Sequence, residues 1–409
     1  MYRFVGRELK PLERHTNESS HGEIGCAELG KERKPSRFYK SLATASDTFL
    51  KDTAVRPEDV ASMLYTSGTT SNPKGVLITH ANYVHAGEVM SKSIRLSPDD
   101  RQFIVLPLFH ANAQYYSTMS ALTVGASIAL TERFSASRYF KQAKRANATV
   151  GSLFAAPIRM ILRQPYDPKD ADNPLRTVWF AQTITPAQLE EFERKFDVKL
   201  LQLYGMTETV STPLMNPIDG VRKNMGIGRP VLGAEVKLVD DSGQEVPPGE
   251  VGQILVKGVP GRTLMQGYFN NSSATQDALR EGWLYTGDNA RMDEEGYFYF
   301  VDRLKDMIKR SGENVAAGEV EKVILEHPAV FDCAVIGVPD EVRDESIVAY
   351  VILREGQTAN PEGILDFCRQ RLAKFKVPEA IEFIGELPRT SVGKIQKHVL
   401  RKLHQEGQA

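Results

Sequence analysis

Cysteine is scarce and unpatterned in this chain: Cys26, Cys333 and Cys368 are the only three in 409 residues. An odd number without CxxC spacing indicates neither a disulfide framework nor a zinc site. An excess of charge is missing too. Fifty-one Lys and Arg stand against 52 Asp and Glu, a net charge of -1 with pI near 6.7. That balance gives no electrostatic footprint for nucleic acid or for an anionic membrane. Long apolar runs are absent. The most apolar, Phe103 to Phe109, is broken by Pro107 and falls far short of the ~20 residues of a membrane span. The N-terminus lacks a secretory apolar core, so a cytoplasmic protein is expected. Gly-x-Ser-x-Gly is not found around Ser67, which disfavours a serine hydrolase.

What is present is a polar loop between apolar flanks, Tyr65-Thr66-Ser67-Gly68-Thr69-Thr70-Ser71-Asn72-Pro73-Lys74-Gly75. Gly68 and Gly75 allow backbone N–H groups to approach an anion, Ser67, Thr69 and Thr70 add hydroxyl donors, and Lys74 supplies a point charge. Met63 and Leu64 read as the end of a strand before it, and Val76 to Ile78 as an apolar stretch after it. Composition alone would make such a segment an ordinary surface turn. It is not the P-loop, because Lys74 is followed by Gly75 and Val76. The pattern resembles the phosphate loop of the AMP-forming acyl-CoA synthetase family, with Ser71 where that family usually carries Gly. The likeness runs from about Val55 to Leu403.

Further motifs match the same family. Tyr204-Gly205-Met206-Thr207-Glu208 resembles its second signature, in which the Tyr packs on adenine, the Thr meets the α-phosphate and the Glu holds Mg²⁺. A carboxylate beside a hydroxyl suits a hard cation, and an aromatic face suits a purine. Tyr285-Thr286-Gly287-Asp288 resembles the ribose-binding turn, with Arg303 as the second ribose and phosphate contact. Lys305 falls at the pivot about which the family's small domain rotates between two half-reactions. Lys309, Ser311 and Gly312 lie on the face expected to meet CoA, although a solvated charge run explains Lys309-Arg310 as well. Pro388-Arg389-Thr390-Ser391-Val392-Gly393-Lys394 resembles the last signature, whose lysine enters the site during adenylation. The resemblance therefore implies ATP binding by Thr66, Ser67, Gly68, Thr69, Thr70, Lys74, Tyr204, Gly205, Met206, Thr207, Asp288, Arg303 and Lys394. Lys394, Thr207 and Glu208 would be catalytic, with Glu208 the metal ligand.

His110 matches an aromatic position lining the acyl site, and Gln182 and Thr183 follow the strand that borders it. Lys257-Gly258-Val259-Pro260-Gly261, Met307-Ile308-Lys309-Arg310 and Ala373-Lys374-Phe375-Lys376-Val377-Pro378 look like the crotonobetaine/carnitine-CoA ligase branch. Tyr115, Tyr116, Trp179 and Phe180 are aromatic candidates for a trimethylammonium group, and all four read equally well as core.

Periodicity points to an α/β fold. Strands are expected at Phe103 to Leu108, Ala126 to Leu130, Thr149 to Ala155, Thr177 to Ala181 and Lys199 to Tyr204, and a helix at Ser135 to Ala146 capped by Ser135. Turn-punctuated short strands from 229 to 300 suggest a small β subdomain. The expected organisation is a poorly organised segment at 1–54, a large domain of mixed parallel sheets with helices at 55–302, and a mobile C-terminal α/β domain at 303–409. Family members usually carry a longer stretch before the phosphate loop. Residues 1 to 50 are expected not to replace it, leaving apolar surface for a second chain, such as a homodimer partner. The implied activity is an ATP-dependent acid:CoA ligase using ATP, Mg²⁺ and coenzyme A on a small carboxylic acid. An adenylation module acting on a carrier protein, and a nucleotide-binding protein without activity, are the alternatives.

Overall fold

The computed structural model describes residues 2–5, 8–11, 44, 54–66, 73–303, 306–310, 313–340, 342–390 and 395–407. Strands β1 (Tyr2–Val5) and β2 (Glu8–Pro11) pair as an antiparallel hairpin inside the segment read as poorly organised. A second hairpin joins β3 (Val60–Thr66) to β4 (Lys74–Thr79), with Thr66 opposite Lys74. Thr79 then starts α1 (His80–Ser93) through a capping box. Its hydroxyl accepts from the Asn82 N–H at 3.1 Å, and Asn82 Oδ1 accepts from the Thr79 N–H at 3.1 Å, satisfying donors that a helix start leaves open. The same side chains donate to Gly261 O at 2.7 Å and Leu264 O at 2.8 Å. The corner is thereby stitched to a region far along the chain.

From there strands and helices alternate: β5 (Arg101–Ile104), α2 (Ser120–Val124), β6 (Ser127–Leu130), α3 (Tyr139–Ala146), β7 (Val150–Phe154), α4 (Ala155–Leu162), β8 (Thr177–Ala181), α5 (Pro186–Phe196) and β9 (Lys199–Tyr204). With β10 (Leu214–Met215) and β11 (Arg229–Pro230) they build a sheet in the order β11-β10-β9-β8-β7-β5-β6. Neighbours from β5 to β9 run parallel, while β10 and β11 are antiparallel. Other elements pack on both faces, which is why β7 is buried at every position. Ser135 makes no cap bond; a 3₁₀ turn at Ala136–Arg138 intervenes and the α-helix begins at Tyr139. The expected strand to Leu108 ends at Ile104, and a π-helix at Asn112–Met119 follows.

Strands β12 (Val236–Val239) and β13 (Val251–Lys257) open an antiparallel sheet. The next strand, β14 (Gly267–Tyr268), leaves it to pair with β4. After α6 (Ser272–Ala278), β15 (Leu279–Arg280), β16 (Trp283–Met292) and β17 (Phe298–Arg303) complete the sheet. Its apolar side joins Ile78, Met90, Trp179 and Leu203 in one cluster with Ile254 and Phe298. A second cluster, including Phe103, Phe140, Phe180 and Phe192, fills the parallel sheet's other side.

The last part of the chain has β18 (Met307–Arg310), β19 (Glu313–Ala316), α7 (Ala317–Leu325), β20 (Val330–Asp340), β21 (Asp344–Leu353), α8 (Pro361–Arg369), β22 (Ala380–Phe383) and α9 (Lys397–Gln405). These strands form a separate five-stranded sheet. Val320 of α7 and Ile364 of α8 pack on one face and Leu400 of α9 on the other, in clusters drawn wholly from residues beyond 307.

Candidate active site

Because β5, β7, β8 and β9 are parallel neighbours, their carboxyl ends share one edge of the sheet, the place where open α/β sheets bind ligands. His110, Gln182–Thr183 and Tyr204–Glu208 all follow such ends. His110 is half-buried, its Nδ1 accepting from the Asn112 N–H at 3.3 Å and its ring 5.5 Å edge-on from Phe154. Gln182 has φ 74°, a left-handed conformation that turns the chain out of β8 toward the Thr185/Gln188 capping box of α5.

The turn after β9 is tightly specified. Tyr204 Oη donates to Asp288 Oδ2 at 2.7 Å with both residues buried. A Cβ at Gly205 would lie 2.3 Å from Tyr116 Oη, so any larger residue must displace that side chain or the turn itself. Thr209 Oγ1 accepts from the Met206 N–H at 3.0 Å. Val210 has φ 62°, an outlier for a β-branched residue and the kind of strain that clusters at functional turns. Thr207 is half-buried and Glu208 is 5 % exposed.

Tyr268, a residue that no motif singled out, links two parts of this site. Its hydroxyl is 3.0 Å from Glu208 Oε1, and Lys74 Nζ stands 4.5 Å from its ring centroid. Burial first, and the Glu208 carboxylate second, hold its phenol well above the usual tyrosine range. The register of β14 against β4 sets Tyr268 opposite Val76. That pairing joins segments far apart in sequence, and no local periodicity signals it.

Asp288 and Arg303 face each other as a cross-strand pair of β16 and β17, so two motifs fifteen residues apart meet in one place. Gly75 has a packing reason: a Cβ there would come within 2.5 Å of Met63 Sδ. Lys309 is exposed on β18, whereas Arg310 donates to Phe375 O and Val377 O at 2.8 Å each and pairs with Glu379. Arg310 is therefore tied to its own unit. Ser67, Gly68, Thr69, Thr70, Lys305, Ser311, Gly312 and Lys394 lie outside the described residues, as does the Arg303 side chain. Tyr115, Tyr116, Trp179 and Phe180 are all core, 5 % exposed or less. Among the described residues, no helix is long and apolar enough to cross a membrane.

A sequence model described as "AMP-binding enzyme" matches residues 7–269, and one described as "AMP-binding enzyme C-terminal domain" matches residues 319–394. The chain belongs to this family, and the match reaches well upstream of Val55. It is an acid–thiol ligase whose substrates include ATP and CoA. Among its relatives, a crotonobetaine/carnitine–CoA ligase of Proteus mirabilis is 44 % identical over 364 residues, 88 % of this chain and 70 % of that protein. Among solved structures, ATP-bound MatB from Rhodopseudomonas palustris is similar with a TM-score of 0.83 at 30 % identity, over 90 % of this chain and 73 % of that one. The apo form of the same protein, with the same identity and coverage, gives 0.69. o-Succinylbenzoate CoA synthetase from Bacillus subtilis, solved with ATP and magnesium ion, gives 0.77 at 31 % identity, over 89 % and 74 %.

Proposed function

We propose that this chain activates a betaine acid, crotonobetaine or carnitine, as its CoA thioester. The acid's carboxylate oxygen attacks the α-phosphorus of ATP, forming the acyl-adenylate as pyrophosphate leaves. The CoA thiolate then attacks the acyl carbonyl carbon, and AMP departs with the electron pair of the cleaved C–O bond. The ligase chemistry is supported by the joining of Tyr204 to Asp288 and of Glu208 to Tyr268, and the betaine assignment by the 44 % identity to a crotonobetaine/carnitine–CoA ligase. In this reading, Tyr204 and Met206 contact adenine, Asp288 and Arg303 hold the ribose, and Thr66 to Thr70, Lys74, Gly205 and Thr207 surround the phosphates. Lys394 bridges carboxylate and α-phosphate, where negative charge spreads in the transition state. His110, Gln182 and Thr183 border the acid, and Lys309, Ser311 and Gly312 meet CoA.

Glu208 suits Mg²⁺. A single buried carboxylate, one oxygen held by Tyr268, matches a cation that retains waters and leans on substrate phosphates. When bound, the ion would neutralise phosphate charge. The same proposal divides the chain at 302/303, with rotation about Lys305, and places the enzyme in the cytoplasm as a homodimer.

The test is a panel of acids with ATP and CoA. kcat/KM should favour betaine acids over octanoate and palmitate. Preference for straight-chain fatty acids would refute the betaine assignment and leave the ligase chemistry standing. Lys394→Ala should abolish acyl-AMP formation yet spare thioester synthesis from supplied acyl-AMP.

A further inference from the structure

Arg159 and Arg163 stand one helical turn apart at the end of α4, where spacing of four residues puts side chains on one face. Opposite them, the register of β20 against β21 slips between Val330 and Asp332. Such a bulge frees a residue from the ladder and re-aims its side chain. Both side chains at the bulge meet the arginines. The Arg163 guanidinium carbon is 4.1 Å from the Phe331 ring centroid, and Arg159 Nη2 is 3.7 Å from Asp332 Oδ1.

Asp332 connects further. Its Oδ2 accepts from Arg389 Nη2, while Arg159 Nη1 donates to Thr183 O at 3.3 Å. Arg389 pairs with Ile395 in an antiparallel bridge, and the Gln396 N–H donates to Pro388 O at 2.8 Å. Arg389 and Ile395 therefore bracket, in sequence, the segment that contains Lys394. The relay Thr183–Arg159–Asp332–Arg389 leads from the edge of the proposed acyl segment to the residue five places before Lys394. The side chains of Arg159 and Asp332 are only 8 % and 6 % exposed. Exposed ion pairs contribute little, but separating buried partners leaves an uncompensated charge, so this contact discriminates between positions of the terminal unit. A cavity of about 920 Å³, lined by Phe109, Phe154, Met160, Phe331 and Ile352 among others, lies beside it. The relay therefore spans a part of the seam that side chains do not fill.

We infer that Arg159 and Asp332 are positioning residues that latch the C-terminal unit in the orientation used for adenylation, and that the latch must open before thioester formation. The direction of this inference rests on the adenylating role proposed for Lys394. The two half-reactions, pyrophosphate exchange and thioester formation from supplied acyl-adenylate, are measured separately. Asp332→Asn and Arg159→Met should each slow exchange on the order of tenfold or more, leave thioester formation within about twofold or faster, and leave the KM for ATP nearly unchanged. Arg159→Lys, which keeps the charge, should recover part of the loss. Equal loss of both half-reactions at unchanged Tm, or loss of neither, overturns the latch.

A second variant decides the matter if those proteins do not fold. In Arg163→Cys/Phe331→Cys, a cleavable thiol-to-thiol cross-linker long enough to replace the two side chains that meet here should permit exchange and block thioester formation until it is cleaved. Failure of the pair to cross-link, or full thioester turnover by the cross-linked enzyme, overturns the inference. If Lys394→Ala leaves exchange intact, the Lys394 role fails instead, and the cross-linked enzyme still reports whether this seam opens during turnover.

Discussion

The Tyr268 hydroxyl lies 3.0 Å from Glu208 Oε1, and the same ring carries Lys74 Nζ 4.5 Å from its centroid. Tyr268 belongs to a two-residue strand paired with the strand that Lys74 opens. One side chain thus couples the Lys74 ammonium to the carboxylate proposed as metal ligand. Its raised pKa keeps the phenol protonated and donating, which fixes one carboxylate oxygen.

Tyr268→Phe removes that bond while keeping the ring under Lys74. Hydrogen bonds to charged groups are worth about 1.5–3 kcal/mol, so acyl-AMP formation should fall by roughly ten- to a hundredfold. The Mg²⁺ concentration for half-maximal pyrophosphate exchange should rise. A drop in rate with unchanged Mg²⁺ dependence would remove Tyr268 from the metal site and leave it a packing residue.

Tyr204 and Asp288 form the second buried pair, at 2.7 Å. Tyr204→Phe keeps the aromatic face and frees Asp288 from its donor, a loss of about 1–3 kcal/mol. If adenine and ribose bind there, the KM for ATP should rise about tenfold, with the KM for the acid little changed. An effect confined to the acid would move the nucleotide elsewhere.

Sequence patterning located the parallel strands well, because a strand covered on both faces is mostly apolar, the buried Ser152, Thr177 and Gln202 being exceptions. Thr177–Ala181 and Lys199–Tyr204 have the expected bounds. It located Tyr204, Glu208 and Asp288 as separate motifs, since each sits in a short turn of distinctive composition. What escaped was pairing over distance. The Tyr268 contact depends on a β4–β14 register, and Asp288 meets Arg303 only through the β16–β17 ladder. The capping box at Thr79 and Asn82 was also unread, because Asn82 takes the place of the usual Glu or Gln. Trp179 and Phe180 could not be told from pocket aromatics until both faces of β8 were seen to be covered.

Asp293 supplies a pH test of the sheet that carries Asp288. It sits in the turn between β16 and β17, accepting from Lys223 Nζ at 2.8 Å and from the Tyr297 N–H and Tyr299 Oη at 2.9 Å each. Burial pushes its carboxyl up, but Lys223, the Tyr297 N–H and Tyr299 outweigh that and hold it down at about 2, against an ordinary 3.8. A depressed carboxylate contributes stability that is complete above its unfolded pKa and is lost as pH falls through the folded one. Asp293→Asn should therefore be less stable than wild type near neutrality by about 1–2 kcal/mol. The gap in Tm should narrow as pH is lowered from about 5 toward 3. A gap independent of pH would mean that the amide costs packing and not charge.

The last prediction concerns Gly205, whose place between Tyr204 and the Thr207–Glu208 pair makes it a sensitive point of the site. A Cβ added there would stand 2.3 Å from Tyr116 Oη and 3.1 Å from Ser211 O. Tyr116 is 5 % exposed, so its ring cannot swing away into solvent. Gly205→Ala should therefore displace the turn itself, at a cost typical of overpacking, about 1–3 kcal/mol. Adenylation should fall further than stability does, because Tyr204 and Glu208 leave their partners Asp288 and Tyr268 together. The clash has an identifiable remedy. Tyr116→Phe deletes the nearest atom and leaves only the tight but tolerable approach to Ser211 O. The double variant should recover on the order of tenfold in kcat/KM over Gly205→Ala, while Tyr116→Phe alone stays close to wild type. Strict additivity of the two substitutions would show that Gly205 is required by substrate approach and not by the side chain behind it.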